Sequence, residues 1–111
     1  LLTGLEVINI TDTLTVRNPF NFASKPYIKV YGSGEGTLVI QNEEGNKIWQ
    51  FSDIDEYVEI DSELMNFFKG TELKNSSVSG DGFPLLVKGD NVLTFNGGIT
   101  RVEIIPRWVS L

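Results

Sequence analysis

Carboxylates are the acid–base side chains to weigh first, because the sequence contains no histidine and no cysteine. Asp53, Asp55 and Glu56 cluster before one predicted strand, and Asp61 and Glu63 follow it. A glycosidase requires two carboxyl groups on either side of a sugar bond at a defined separation, one of them with a raised pKa. Acidic residues at strand ends are more commonly solvated turn residues. We therefore predict that the chain is not an enzyme and has no catalytic residue.

The same absences remove other kinds of chemistry. Without cysteine there is no thiolate nucleophile, zinc knuckle or iron–sulfur cluster, and without histidine there is no Ser-His pair or imidazole metal site. Residues Ser52–Glu56 place several oxygens close together but lack the spacing of a calcium loop. The run Gly32–Gly36 lacks the helix and the Lys-Ser/Thr pair of a nucleotide loop. We expect no metal and no cofactor.

Charge and hydropathy limit the partners. The 15 acidic and 9 basic side chains give a net charge of −6, which repels a phosphate backbone, so nucleic acid is not an expected partner. The apolar runs are only a few residues long, far shorter than a membrane span. A length of 111 residues predicts a single domain over 1–111.

Aromatic residues are the second group that could bind a ligand. Tyr27 and Tyr31 share one face of a predicted strand, and tyrosine rings on a sheet can stack against sugars. Phe51, Phe83 and Phe95 are more simply core residues. A carbohydrate-binding module that recognises a host cell-wall saccharide is therefore one candidate function, with the two tyrosines as its contacts.

The elements that must position these residues are predicted to be strands, because apolar residues recur with period two between turn signals. Asp61–Gly70 is predicted to be a helical turn or an irregular crossover, and Thr71–Gly82 a loop. About eight strands and no amphipathic helix predict an all-β fold, a two-sheet antiparallel β-sandwich of jelly-roll or galectin-like type. The predicted strands are Leu5–Ile10, Thr13–Asn18, Pro26–Tyr31, Thr37–Gln41, Lys47–Phe51, Tyr57–Ile60, Asn91–Phe95 and Thr100–Ile105.

Glycine-containing segments are expected to connect these strands. Gly32–Gly36 is predicted to be a loop, and Asn42–Asn46 a hairpin turn with a glycine at positive φ. Asn96-Gly97-Gly98 is a strong signal for a second hairpin turn. Pro106 is expected to end the last strand, since proline cannot donate to a ladder.

An ordered set of segments resembles a known family. The set runs from Asn18-Pro19 through Lys25–Gly32 and Ile60–Glu63 to Phe83–Phe95 and Gly98–Trp108. It is similar to the C-terminal domain of the distal tail protein of long-tailed, non-contractile phages of Gram-positive bacteria and their prophages. The resemblance spans about Thr15 to Leu111.

The resemblance implies a virion structural protein at the phage tail tip, made in the bacterial host cytoplasm. In that family an N-terminal domain forms a homohexameric ring between the tail tube and the tail tip. The C-terminal domain is a galectin-like sandwich that points outward and docks receptor-binding proteins, a tail-associated lysin or other baseplate components. We thus expect residues 1–111 to be the C-terminal domain of a longer tail protein. No catalytic residue is carried over from the family.

Two residues near the chain end complete the predicted contacts. Arg107 and Trp108 place a cationic and an aromatic side chain after the last strand, a combination common at protein interfaces. The alternative for Trp108 is that it covers the end of the sandwich. The predicted saccharide or partner contacts are thus Tyr27, Tyr31, Arg107 and Trp108.

Overall fold

The computed structural model describes residues 1–111, and 66% of them lie in strands. Three strands of 16 or 17 residues dominate the molecule, and they are β4, β5 and β9. In chain order the strands are β1 Leu2–Thr3, β2 Ile8–Ile10, β3 Leu14–Asn18, β4 Tyr27–Asn42, β5 Gly45–Asp61, β6 Asn66–Lys69, β7 Glu72–Leu73, β8 Val78–Gly80, β9 Gly89–Ile105 and β10 Trp108–Val109, with a 3-10 helix over Asn75–Ser77 before β8.

The long strands pass through both layers of the sandwich. Strand β4 lies between β5 and β9 and pairs antiparallel with both along most of its length. In the first layer, β2 extends the C-terminal half of β9, and β6 and β7 extend the C-terminal half of β5. In the second layer, β3 pairs with the N-terminal half of β9 and β8 with the N-terminal half of β5. Strands β1 and β10 form a separate two-stranded ribbon.

One hydrophobic core joins the two layers. Ile28 and Val30 from the first half of β4 and Leu38 and Ile40 from the second half belong to the same cluster of 17 buried residues. Since both halves of one strand bury side chains in a single core, the sheet folds over onto itself. Trp49 is 1% exposed, and its indole N–H donates to the Gly82 carbonyl at 2.8 Å. The predicted all-β antiparallel sandwich is confirmed, whereas the jelly-roll assignment stays a prediction.

The fold-over occurs where the sequence predicted breaks. Gly32–Gly36 was expected to be a loop, but it lies within β4, where the pairing with β5 shifts register between Gly34 and Gly36. Gly98, predicted to sit in a hairpin turn, lies inside the continuous strand β9. A Cβ at Gly98 would stand 1.8 Å from the Ser33 carbonyl oxygen, so the close approach of β4 and β9 requires glycine there. Both predictions were wrong, because Gly32, Gly36 and Gly98 permit close contact between β4 and β9 and the chain does not reverse there.

Other boundaries also differ from the predictions. The separate strands predicted at Lys47–Phe51 and Tyr57–Ile60 are one strand, β5. Within Asp61–Gly70 the chain makes a turn at 62–65 and then forms β6, so no helix is present there. The predicted loop Thr71–Gly82 contains two short strands and the 3-10 helix.

Several local predictions are confirmed. Asn42 pairs with Gly45 across a tight turn, and Gly45 has a φ of 105°. Strand β9 ends at Ile105, directly before Pro106. Phe51 is buried in the core, and Phe83 and Phe95 pack against it. As a separate finding, the chain forms no helix with the length and hydropathy that a bilayer span requires.

Candidate functional site

Tyrosines and cations cover the outer side of the first layer. Cross-strand pairing places Arg101, Tyr31 and Tyr57 side by side on three neighbouring strands. The next outward-facing row along the strands contains Glu103, Lys29 and Glu59. All these side chains are half-buried. We call this surface the tyrosine face, and its residues are Tyr27, Lys29, Tyr31, Tyr57, Glu59, Lys69, Arg101 and Glu103.

Two carboxylates fix the tyrosine hydroxyls. The Tyr27 hydroxyl donates to Glu59 Oε1 at 2.5 Å, and the Tyr31 hydroxyl donates to Glu103 Oε1 at 2.6 Å. Burial raises the pKa of Tyr27, and the hydrogen bond to Glu59 raises it further, so the phenol stays a donor throughout the physiological range. Glu59 also accepts from the Gly70 backbone N–H at 2.8 Å. Charge-assisted bonds of this kind hold the rings in one orientation.

Cations lie against the aromatic rings. The Arg101 guanidinium carbon is 3.9 Å from the centre of the Tyr31 ring, and Lys29 Nζ is 4.2 Å from that of Tyr57. Lys29 also approaches Tyr31 at 5.1 Å, and Lys69 approaches Tyr57 at 5.2 Å. Partial desolvation disfavours the charged form of Lys29, but hydrogen bonding to Tyr31 and the charges nearby outweigh it, so the lysine pKa is raised. Each of the two rings therefore has two cations close to it.

An ion pair borders the tyrosine face. Arg107 donates to both carboxylate oxygens of Asp61, at 2.8 and 3.2 Å, and its guanidinium carbon is 5.9 Å from the centre of the Tyr27 ring. The hydrogen bond from Arg107 lowers the pKa of Asp61, and backbone N–H groups of Leu64 and Glu63 lower it further. The same bond raises the pKa of Arg107. Arg107 holds this position at a φ of 57°, which is rare for a residue with a side chain.

The four predicted contact residues separate into two groups. Tyr27 and Tyr31 lie together on the tyrosine face, as strand alternation predicts, and Arg107 lies at its border. Trp108 instead lies in β10, packs against the hydrophobic core and is in close contact with Gly4. This position matches the alternative in which Trp108 covers an end of the sandwich.

Sequence reasoning missed the residues that complete the tyrosine face. Lys29 alternates in phase with Tyr27 and Tyr31, so the strand pattern alone could have included it. Tyr57 and Arg101 are brought in by pairing with strands far along the chain, for which the sequence carries no local signal.

The acidic residues of the sequence do not converge. The structure contains no group of three or more Asp or Glu side chains placed to hold a metal ion. Asp53 and Asp55 are exposed, and Asp55 lies 3.7 Å from Lys69 Nζ. Asp81 accepts a hydrogen bond from the Ile48 backbone N–H at 3.0 Å. These carboxylates have the contacts of ordinary surface and turn residues.

Comparison of the chain with protein-family models, with curated proteins and with solved structures finds no match. The description of the protein therefore rests on its own fold and site. The chain is an antiparallel β-sandwich whose first layer carries a preorganised aromatic and cationic outer face.

Proposed function

We propose that the chain is a virion structural domain, the outward-facing module of a phage tail-tip distal tail protein, and that it works by docking other tail proteins. The observation that carries this proposal is the tyrosine face. Tyrosine and arginine are enriched where protein interfaces concentrate their binding energy. Here both occur at the middle of a broad sheet.

The rigidity of the tyrosine face supports docking. The hydroxyls of Tyr27 and Tyr31 are bonded to carboxylates, and Lys29 and Arg101 lie against rings. Side chains that are already fixed lose little entropy when a partner binds, which is a main cost of protein association. A partner therefore meets a surface that is ordered before contact.

The resembling segments also form a connected set in space. The Asn18 side chain donates to the Leu86 carbonyl at 2.9 Å. Arg107 bonds to Asp61. Segments far apart in the sequence thus meet through the residues that carry the resemblance, which supports reading them as one pattern.

The proposal is tested on particles of a phage or induced prophage that carries the gene. Gold-labelled antibody against the chain is expected to mark the tail tip in electron micrographs. Replacing Tyr31 and Arg101 together by alanine is expected to remove at least one other tail protein from purified particles, as measured by mass spectrometry. Thr15→Ala, an exposed change on β3 in the other layer, is the control and should leave the particle composition unchanged. Labelling of the capsid, or no labelling of particles, would refute the proposal.

Carbohydrate binding at the same face is the second candidate, and the cluster of three tyrosines favours it. Sugars stack on open ring faces, however, and Tyr31 and Tyr57 each have two cations near the ring. We therefore prefer docking of a protein. Titration with cell-wall polysaccharide tests this preference for protein docking over sugar binding. Binding that disappears in both Tyr27→Ala and Tyr31→Ala would reverse it.

A further inference from the structure

A polar groove lies where the three long strands bend, apart from the residues of the tyrosine face. It is open to solvent and has a volume of about 560 Å³, which is within the usual range for a small-molecule site. Strands β4, β5 and β9 form part of its lining, and the 3-10 helix with β8 forms the rest. We call it the bend groove. Its lining side chains that have no hydrogen bond within the protein are Glu35, Thr37, Gln50, Ser76, Ser79 and Asn96.

The lining is mostly polar, and most of its hydrogen-bonding side chains have no partner within the protein. Of the lining side chains, only Ser52 and Ser77 bond to the protein, to the carbonyls of Ser77 and Lys74. The six residues that define the groove offer two amides, three hydroxyls and a carboxylate without an intramolecular partner. Converging polar side chains around a concave site are what orient a ligand rich in hydroxyl groups.

The charge of the lining disfavours anionic ligands. Glu35 is the one charged residue of the lining, and no lysine or arginine contributes to it. An anionic ligand, such as a sugar phosphate or a uronic acid, would meet a carboxylate and no cation in a protein whose net charge is −6. A neutral polyol or sugar meets no such repulsion.

The groove offers hydrogen bonds but no aromatic platform. Phe51 lines it but is only 2% exposed, so its ring cannot present an open face. Val78 is the other hydrophobic residue of the lining and is half-buried. Affinity must therefore come from several hydrogen bonds made at once. Most of them are neutral and of modest net strength, and the Glu35 carboxylate would add a stronger, charge-assisted one.

We infer that the bend groove binds a neutral saccharide, held by Gln50, Ser76, Ser79 and Asn96 with Glu35 accepting from sugar hydroxyls. The inference goes beyond docking at the tyrosine face, because the two sites share no residue. Either can fail without the other, and a sugar that binds here leaves the tyrosines free for a protein.

The test is a nuclear magnetic resonance titration of the labelled chain with neutral hexoses, deoxyhexoses and N-acetylhexosamine oligomers at millimolar concentration. A sugar that binds as inferred shifts the amide signals of Ser76–Ser79, Asn96 and Gly97 in a saturable way. Glucuronic acid and glucose phosphate should produce no saturable shift, and glycerol at equal concentration controls for general polyol effects.

Variants distinguish the groove from the rest of the surface. Gln50→Ala with Ser79→Ala should weaken the sugar about tenfold, the loss expected for two neutral hydrogen bonds. Ser76→Trp should abolish binding by filling the groove. All three positions are exposed, so the fold should be preserved, which is checked by the unchanged signals of the core. Gln41→Ala, an exposed change on the same strand as Thr37 but outside the groove, should bind like the parent chain.

Three results would overturn the inference. One is the absence of a saturable shift with every neutral sugar. Another is shifts confined to the tyrosine face, which would support the second candidate function instead. The third is equal response to acidic sugars or glycerol, which would contradict the charge argument.

Discussion

Buried polar side chains hold the loops to the sandwich, and Asn91 shows this most clearly. Asn91 is 0% exposed, donates to the carbonyls of Val87 at 2.9 Å and Val16 at 3.2 Å, and accepts from the Val87 N–H at 3.0 Å. A single amide thus satisfies backbone groups of both β3 and the segment before β9. Asn91 lies within the resembling segment Phe83–Phe95, and in this chain its contacts are structural.

We expect Asn91→Ala to destabilise the fold by about 2 to 4 kcal/mol, because it leaves buried backbone groups without partners. Urea unfolding followed by tryptophan fluorescence measures the change. Asn9→Ala is the matched control, since Asn9 is exposed and only accepts from Arg101 at 3.2 Å. Equal free energies of unfolding for the two variants would contradict the role assigned to Asn91.

The ion pair between Asp61 and Arg107 should make stability depend on acid pH. The pKa of Asp61 is lowered in the folded chain from an ordinary value of 3.8, so the unfolded state binds this proton more readily. The stabilisation is then fully present above pH 3.8 and is lost as the pH falls through the lower folded-state value.

The measurement is thermal unfolding from neutral pH down to strongly acidic buffer. Asp61→Asn is expected to be less stable at neutral pH and to lose less stability on acidification than the parent chain. Asp53→Asn, at an exposed position, should follow the parent curve. An Asp61→Asn curve parallel to that of the parent would show that another carboxylate carries the acid sensitivity.

At the scale of elements, the strand periodicity was predictable and the continuity of the long strands was not. Alternation placed Tyr27 and Tyr31 on one face of the first half of β4, and Asn42–Asn46 was correctly predicted to be a turn. Asn96-Gly97-Gly98 carries the local signature of a hairpin, yet it continues β9. The local sequence limits the backbone conformations that a segment can adopt, and pairing with a neighbouring strand determines which of them the segment adopts.

The tyrosine face likewise contains residues that could be predicted from the sequence and residues that could not. Residues spaced by two on one strand, such as Tyr27 and Tyr31, can be assigned to one side from the sequence alone. Tyr57 and Arg101 join Tyr31 only through the register of three strands, and that register depends on where β4 and β9 bulge. Pairing over such distances leaves no pattern in a single sequence.

The contact at Gly98 gives a prediction at this scale. Gly98→Ala should destabilise the chain by about 3 kcal/mol or more, because the new Cβ would overlap the Ser33 carbonyl and neither backbone can move freely. Gly70→Ala is the control: its φ is 60° but its surroundings are open, so only the backbone cost of about 1 to 2 kcal/mol applies. Chemical denaturation of both variants checks the order, and a smaller loss at Gly98 would refute the close-contact argument.

At the scale of the whole molecule, both chain ends meet in one small ribbon. Strands β1 and β10 pair through Leu2 with Val109 and Thr3 with Trp108, and the Ser110 backbone N–H donates to the Leu1 carbonyl at 2.9 Å. Residues near the two ends are thus paired with each other. The tyrosine face lies elsewhere, on the outer side of the first layer.

Adjacent ends also predict that the chain tolerates circular permutation. A short glycine–serine linker between Leu111 and Leu1, with new ends between Glu43 and Glu44, should give a cooperatively folded protein, because that turn is exposed. Refolding should be slower, since pairing of β4 with β5 would no longer be local. Circular dichroism and stopped-flow fluorescence measure the two effects. A permutant opened between Val39 and Ile40, inside β4 and beside the buried core, is the control and should not fold. If opening at Glu43 also abolished folding, the sandwich would require an unbroken β4–β5 hairpin. The contacts of the hydrophobic core alone would then not be sufficient for folding.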